Sequence, residues 1–190
     1  MVINEKALVN LMKKAYTKWG YTVSVGSNGR WAIHTPHWVV TIDGMGNVPN
    51  CVLSVIALHM GCFPQHNEAI KVFKGKNGPV LQNEIFAVAE EHVTELEKEV
   101  DDAEKDFEEI RRTSLRIGGH QVWQRLDDSR VFLIDPEHER LIAGKTDIRT
   151  VGEYICMEGN ISMVFVRSVS EDRPAAFIAH LEQMQWVNAK

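Results

Sequence analysis

Histidine and cysteine gather in one stretch of this 190-residue chain, as His34-Thr-Pro-His37, then Cys51, then His59-Met-Gly-Cys62-Phe-Pro-Gln-His66. Neutral imidazole and thiolate are the ligands that zinc takes in a tetrahedron, and short spacings across a turn are how small sites form. His59, Cys62 and His66 are the candidate metal ligands on that basis. Together with His34 and His37 they would serve a small hydrolase or nuclease, with zinc or without it. No Cys-x-x-Cys pair reinforces the set, and His59 and Cys62 fall in or beside an apolar segment, where cysteine behaves as a small hydrophobe. The leading reading therefore assigns no catalytic residue, no metal and no cofactor. Other motifs are weaker still. Asp43-Gly-Met-Gly46-Asn47 lacks a third spaced glycine, and Lys74-Gly-Lys76-Asn-Gly78 is not followed by Lys-Ser/Thr, so both read as turns and not as phosphate cradles. Asp135-Pro-Glu137-His138-Glu139 brings carboxylates and an imidazole together inside what reads as a hairpin turn. No Gly-x-Ser-x-Gly elbow and no His-Glu-x-x-His helix is present.

Charge is the stronger signal. Residues 1–80 carry eight Lys/Arg against three acids, whereas residues 81–190 carry thirteen against twenty-three, in a chain of formal charge −5. Lys13, Lys14, Lys18, Arg30, His34, Lys71, Lys74 and Lys76 are the candidate nucleic-acid-binding residues, acting through phosphate neutralisation. Between Glu84 and Arg112 there are twelve acids and four bases. An acidic helix face there, carried by Glu90, Glu91, Asp101, Asp102, Glu104 and Glu109, is the candidate docking surface for a basic partner protein.

The elements that hold these residues follow from periodicity. Asn4 caps a helix with Ala7, Leu8, Leu11, Met12, Ala15 and Trp19 on one face, and Gly20 stops it. Alternation in Tyr21-Val23-Val25, Trp31-Ile33-Thr35 and Trp38-Val40-Ile42 predicts a three-stranded meander, with Trp31 and Trp38 on the face under that helix and Arg30, Ala32 and His34 on the open one. An apolar helix follows over Val52 to Met60. From Val80 to Thr113 there is no Gly or Pro, and Phe86, Ala89, Val93, Leu96, Val100, Ala103, Phe107 and Ile110 recur at steps of three and four. That heptad seam predicts one helix about 50 Å long, a spine or the seam of a homodimeric coiled coil. Strands are predicted at Gln121–Leu126, Arg130–Ile134, Leu141–Ala143, Tyr154–Met157 and Ile161–Val166, and a helix from Asp172-Arg-Pro174 to Trp186. The fold class is then α+β: a basic α-β-β-β-α unit over 1–78, a long acidic central helix over 79–114, and a C-terminal antiparallel sheet with a terminal helix over 115–190.

Residues 4–62 also resemble a known family. Lys18-Trp19-Gly20-Tyr21 at the helix end, the Gly26-Ser27 turn, His34-x-Pro36, Val39-Val-Thr-Ile42 and the helix Val52-Leu-Ser-Val-Ile-Ala-Leu-His-Met-Gly61 are similar to the HicA toxin ribonucleases, a branch of the double-stranded-RNA-binding-like domains. The resemblance implies that fold, an RNA partner and a phage or mobile-element setting. The family's catalytic histidine follows the Gly-Ser, and Asn28 stands in that place here, so RNA cleavage is not implied. The chain is thus expected to be a non-catalytic interaction or regulatory protein whose partner is a nucleic acid or a protein. Three cysteines, no signal-like start and no long apolar run point to the cytoplasm and away from membranes.

Overall fold

The Asn4 side chain accepts a hydrogen bond from the Ala7 amide at 3.2 Å and so caps α1 (Glu5–Lys18). In the computed structural model, which describes residues 3–103, 110–142, 148–170 and 173–183, α1 is followed by β1 (Tyr21–Val25), β2 (Arg30–Thr35) and β3 (Trp38–Asp43), then by α2 (Asn50–Met60). α2 stops at Gly61, whose φ of +72° is the left-handed conformation of a helix C-terminus. The chain continues through β4 (Glu68–Gly75), β5 (Gly78–Glu84), α3 (Phe86–Ala103), β6 (Ile110–Ile117), β7 (His120–Arg125) and β8 (Val131–Ile134). It ends with α4 (Pro136–Glu139), β9 (Ile148–Val151), β10 (Tyr154–Gly159), β11 (Ser162–Arg167) and α5 (Ala175–Glu182).

Eight strands form one antiparallel sheet in the order β5-β4-β1-β2-β3-β11-β10-β9, and β6-β7-β8 form a second. Alternation assigns the faces of the large sheet. Tyr21, Val23, Trp31, Ile33, Trp38, Val40, Ile70, Val72, Ile155 and Val164 point into the main core, which they share with Leu8, Leu11 and Met12 of α1, Val52 and Ile56 of α2, and Trp123, Phe132 and Ile134 of the small sheet. Each such side chain contributes about 1.5–3 kcal/mol by leaving water. Val122, Val131 and Leu133, on the other face of the small sheet, pack under Leu181 of α5. The opposite face of the large sheet is covered by α3. Its Val93, Leu96 and Val100 bury against Ala32, Val39, Val151, Tyr154 and Phe165.

Three expectations are overturned. There is no long central helix among the described residues: the segment 79–114 begins inside the β4–β5 hairpin, holds an 18-residue α3 about 27 Å long, and ends in β6. Val80 and Leu81 belong to a strand because Gly75 and Gly78 pair across a two-residue loop and zip β5 onto β4. β5 is an edge strand with most side chains in solvent, so it carries no period-2 pattern that would have separated it from a helix. In β6 the period is interrupted by a bulge between Arg112 and Arg116. The coiled coil is overturned with the helix, since the seam residues Val93, Leu96 and Val100 face this chain's own sheet. The separate C-terminal sheet is overturned too, because β11 pairs with β3, Val164 opposite Val40, and joins β9–β11 to the N-terminal strands. Leu141 and Ile142, expected in a strand, are buried turn residues, and the expected helical residues Met184 and Trp186 lie outside the described residues.

Candidate functional site

Strand register builds a polar row on the α3 face. Thr22 of β1 stands opposite both His34 of β2 and Lys71 of β4, so Lys71, Thr22 and His34 lie side by side across three strands, roughly 5 Å apart at Cβ. They are on this face because Tyr21, Val23, Ile33, Ile70 and Val72 take the other. α3 crosses β2 at Ala32 and leaves two flanks. On one, Arg30 pairs with both Glu90 and Glu97 of α3, at i and i+7 on the helix. On the other, His92 of α3 stands beside His34 and reaches the Tyr154 hydroxyl at 3.4 Å.

The second flank opens into a cleft of about 520 Å³. Trp19, Gly20 and the Tyr21 backbone turn line it together with His34, Thr35, Pro36 and His37 of the β2–β3 hairpin, and with Thr22, Lys71, Glu84 and His92. Gly20 is required where it stands. Its φ is +87°, and a Cβ there would come within 2.7 Å of the Val72 carbonyl oxygen. The close approach of that turn to β4 is what sets Trp19 beside Lys71. Trp19 is 43% exposed, with the Lys18 ammonium 5.2 Å from its ring and the His37 ring at its edge, 5.4 Å away. His37 in turn stacks on His138 at 5.7 Å.

Burial pushes the His34 imidazole down to about 4, and His92 and Lys71 beside it act in the same direction. His34 is thus neutral at pH 7, and its Nε2 is buried with no hydrogen-bond partner among the described residues. Thr22 donates its hydroxyl proton to Glu84 at 3.0 Å, and Thr35 Oγ1 accepts from the His37 amide at 3.2 Å. The cleft therefore offers the Lys71 ammonium, one unsatisfied neutral imidazole and an exposed indole with the Lys18 ammonium over it, set against the carboxylate of Glu84. That set is suited to an anionic group attached to a flat apolar ring.

The sequence-derived sites divide sharply. Of the eight candidate nucleic-acid contacts, His34 and Lys71 line the cleft and Lys18 lies over the ring of Trp19 at its margin, while Lys74 and Lys76 are exposed on the β4–β5 hairpin that carries Lys71. Lys13 is exposed on α1, close enough to His59 to help lower its pKa, though burial is the larger cause. Lys14 pairs with Glu137, and Arg30 with Glu90 and Glu97, so these two are engaged within the chain. Those pairings join basic residues of the first 80 positions to acidic residues later in the chain. In the acidic set Glu90 faces Arg30 and Glu91 faces solvent. The side chains of Asp101 and Asp102, and Glu104 and Glu109 altogether, lie outside the described residues.

His59, Cys62 and His66 do not come together. His59 is buried, stacked on Tyr16 at 4.0 Å and bonded to the Tyr21 hydroxyl at 3.1 Å. Cys62 is exposed, and His66 Nδ1 lies 3.1 Å from the Gly26 carbonyl oxygen. Among the described residues no three His, Cys, Asp or Glu side chains are placed to share a metal. Asn28 is a turn residue that accepts from the Arg30 amide at 3.0 Å. Sequence reasoning missed Trp19, Thr22, Glu84 and His92 as parts of one site. Its one usable sign was that His34 falls on the strand face opposite Ile33.

No family model matches the chain, and no curated protein matches it. A crystal structure from Eubacterium rectale, provisionally described as a DNA polymerase III beta subunit, is similar over 98% of this chain and 67% of that one, at 12% identity and a TM-score of 0.40. A likeness of that size carries nothing about activity across to this chain. No helix of the described residues is long and apolar enough to cross a membrane.

Proposed function

We propose that this protein is a non-catalytic binding protein for single-stranded nucleic acid, and that the cleft between Trp19 and α3 is where it holds the strand. The observation that carries this reading is that Lys71, the exposed Trp19 with the Lys18 ammonium over its ring, and the unsatisfied imidazole of His34 belong to one cleft and its margin. Bases of any identity stack on an indole, and ammonium groups follow the phosphates. Lys74 and Lys76 extend the cationic margin along the hairpin. The resemblance of residues 4–62 to an RNA-handling family makes RNA the first strand to try. The test is fluorescence anisotropy with a labelled single-stranded RNA across a salt series. Three phosphate contacts give a log–log slope of about −2. Absence of binding, or binding indifferent to salt, would overturn the reading.

A further inference from the structure

The cleft is closed at its inner end. Beyond His34 the same row of the sheet continues as Val39 and Phe165, both fully buried with Val93 and Leu96 of α3. Beyond His34 the space under α3 is filled by these side chains, so the cleft takes one end of a strand and is not a channel along it. At about 520 Å³ the space is that of a single small-ligand pocket and does not suit a run of nucleotides. The floor itself is polar. A buried polar atom without a partner is rare in folded proteins, and a ligand oxygen is one way to satisfy it; His34 Nε2 is such an atom, and Lys71 is two strands away in the same row. Glu84, the one acid among the described residues that line the cleft, accepts from the Thr22 hydroxyl, so its carboxylate is turned to the sheet though still charged, and the ligand must bring enough negative charge to compete with it for Lys71. A phosphate monoester carries close to two negative charges and three terminal oxygens, against one charge for the diester within a strand. Of the phosphates in a nucleic acid it is the one with the charge and the free oxygens to engage both Lys71 and His34.

We infer, resting on the nucleic-acid reading above, that the cleft is an end pocket: it takes the terminal phosphate monoester of a single strand, with the terminal base against Trp19. The experiment uses the full chain and four internally labelled RNAs of one sequence, bearing a 5′-phosphate, a 3′-phosphate, hydroxyls at both ends, or no ends because the strand is circular. One phosphorylated strand is expected to bind at least tenfold tighter than the hydroxyl strand, the circle no tighter than the hydroxyl strand, and the favoured arm identifies the end that is read. Lys71→Ala and His34→Gln are each expected to abolish the difference between phosphorylated and hydroxyl strands. Equal binding of all four by the unaltered protein overturns the end pocket while leaving strand binding intact, and no binding of any overturns both. The four-ligand comparison needs no variant, so it stands even if a substitution prevents folding.

Discussion

Arg30 and His34 stand four residues apart on the same face of β2 and meet opposite fates on the two flanks of α3. Arg30 is tied to Glu90 and Glu97, its side chain only 12% exposed. Burial lowers its pKa, which the charge of Asp43 offsets in part. His34 has a neutral ring and a buried, unsatisfied Nε2, and it lines an open cleft. Alternation alone placed both on an uncovered face and made both look like phosphate contacts. What separates them is the path of the covering helix. Where α3 turns carboxylates toward the sheet, a surface cation becomes a structural one; where it turns His92, the sheet keeps a polar floor that a ligand can reach.

The largest effect should come from breaking the closed flank. Arg30→Met leaves two half-buried carboxylates facing one another without a cation, and is expected to cost about 3 kcal/mol in urea denaturation. Replacing all three members, as Arg30→Met with Glu90→Leu and Glu97→Leu, should return most of that loss, because an ion cluster exchanged as a unit for apolar side chains is close to neutral. A full loss persisting in the triple variant would show that the ion pairs themselves, and not the stranded charges, hold α3 down.

The open flank should show itself through acid. The folded-state pKa of His34 lies below its unfolded value, so the folded protein binds fewer protons, and the stability is present above about pH 6.5 and lost as pH falls toward 4. The loss between pH 7 and pH 5 amounts to about 2 kcal/mol. His34→Gln cannot titrate and should flatten that part of the curve. The slope that remains belongs to His59 and His138, whose pKa values burial also lowers. An unchanged acid limb in the variant would mean that His34 is hydrated as freely as an exposed histidine.

Smallest in free energy is the contrast between two lysines. Lys71→Ala is expected to weaken RNA binding about tenfold, or 1.4 kcal/mol, and to reduce the salt slope by about 0.7. Lys14→Ala, whose ammonium already has Glu137, should leave both unchanged. Equal losses would place the strand along α1 and away from the cleft.

How much of this could be read in advance depends on what each residue needed. Tyr21, Val23, Trp31, Ile33, Trp38 and Val40 announce their strands and their buried face because a sheet with one apolar side must alternate, and all six are in the main core. Asn4 and Gly61 mark helix ends by local chemistry. β5 and β6 were hidden by exposure and by a bulge, and their apolar residues fitted a helical step only because Val93, Leu96 and Val100 between them are truly helical. The site was less legible. Glu90 and Glu97 do lie on one side of a helix, but nothing local says that Arg30, sixty residues away, is what they face. His92 sat beside the apolar seam on a helix face that read as polar, and the cleft exists only because β4, a strand with no sequence prediction, pairs with β1 and brings Lys71 beside Thr22.

The most direct test of the cleft as the binding site is a side-chain NMR titration of the histidines with single-stranded RNA at pH 7. His34, His37 and His92 should move together on binding, while His59, locked between Tyr16 and Tyr21, and His180 of α5 stay still. Resonances of His34 that do not move while RNA demonstrably binds would put the strand elsewhere on the protein and contradict the account.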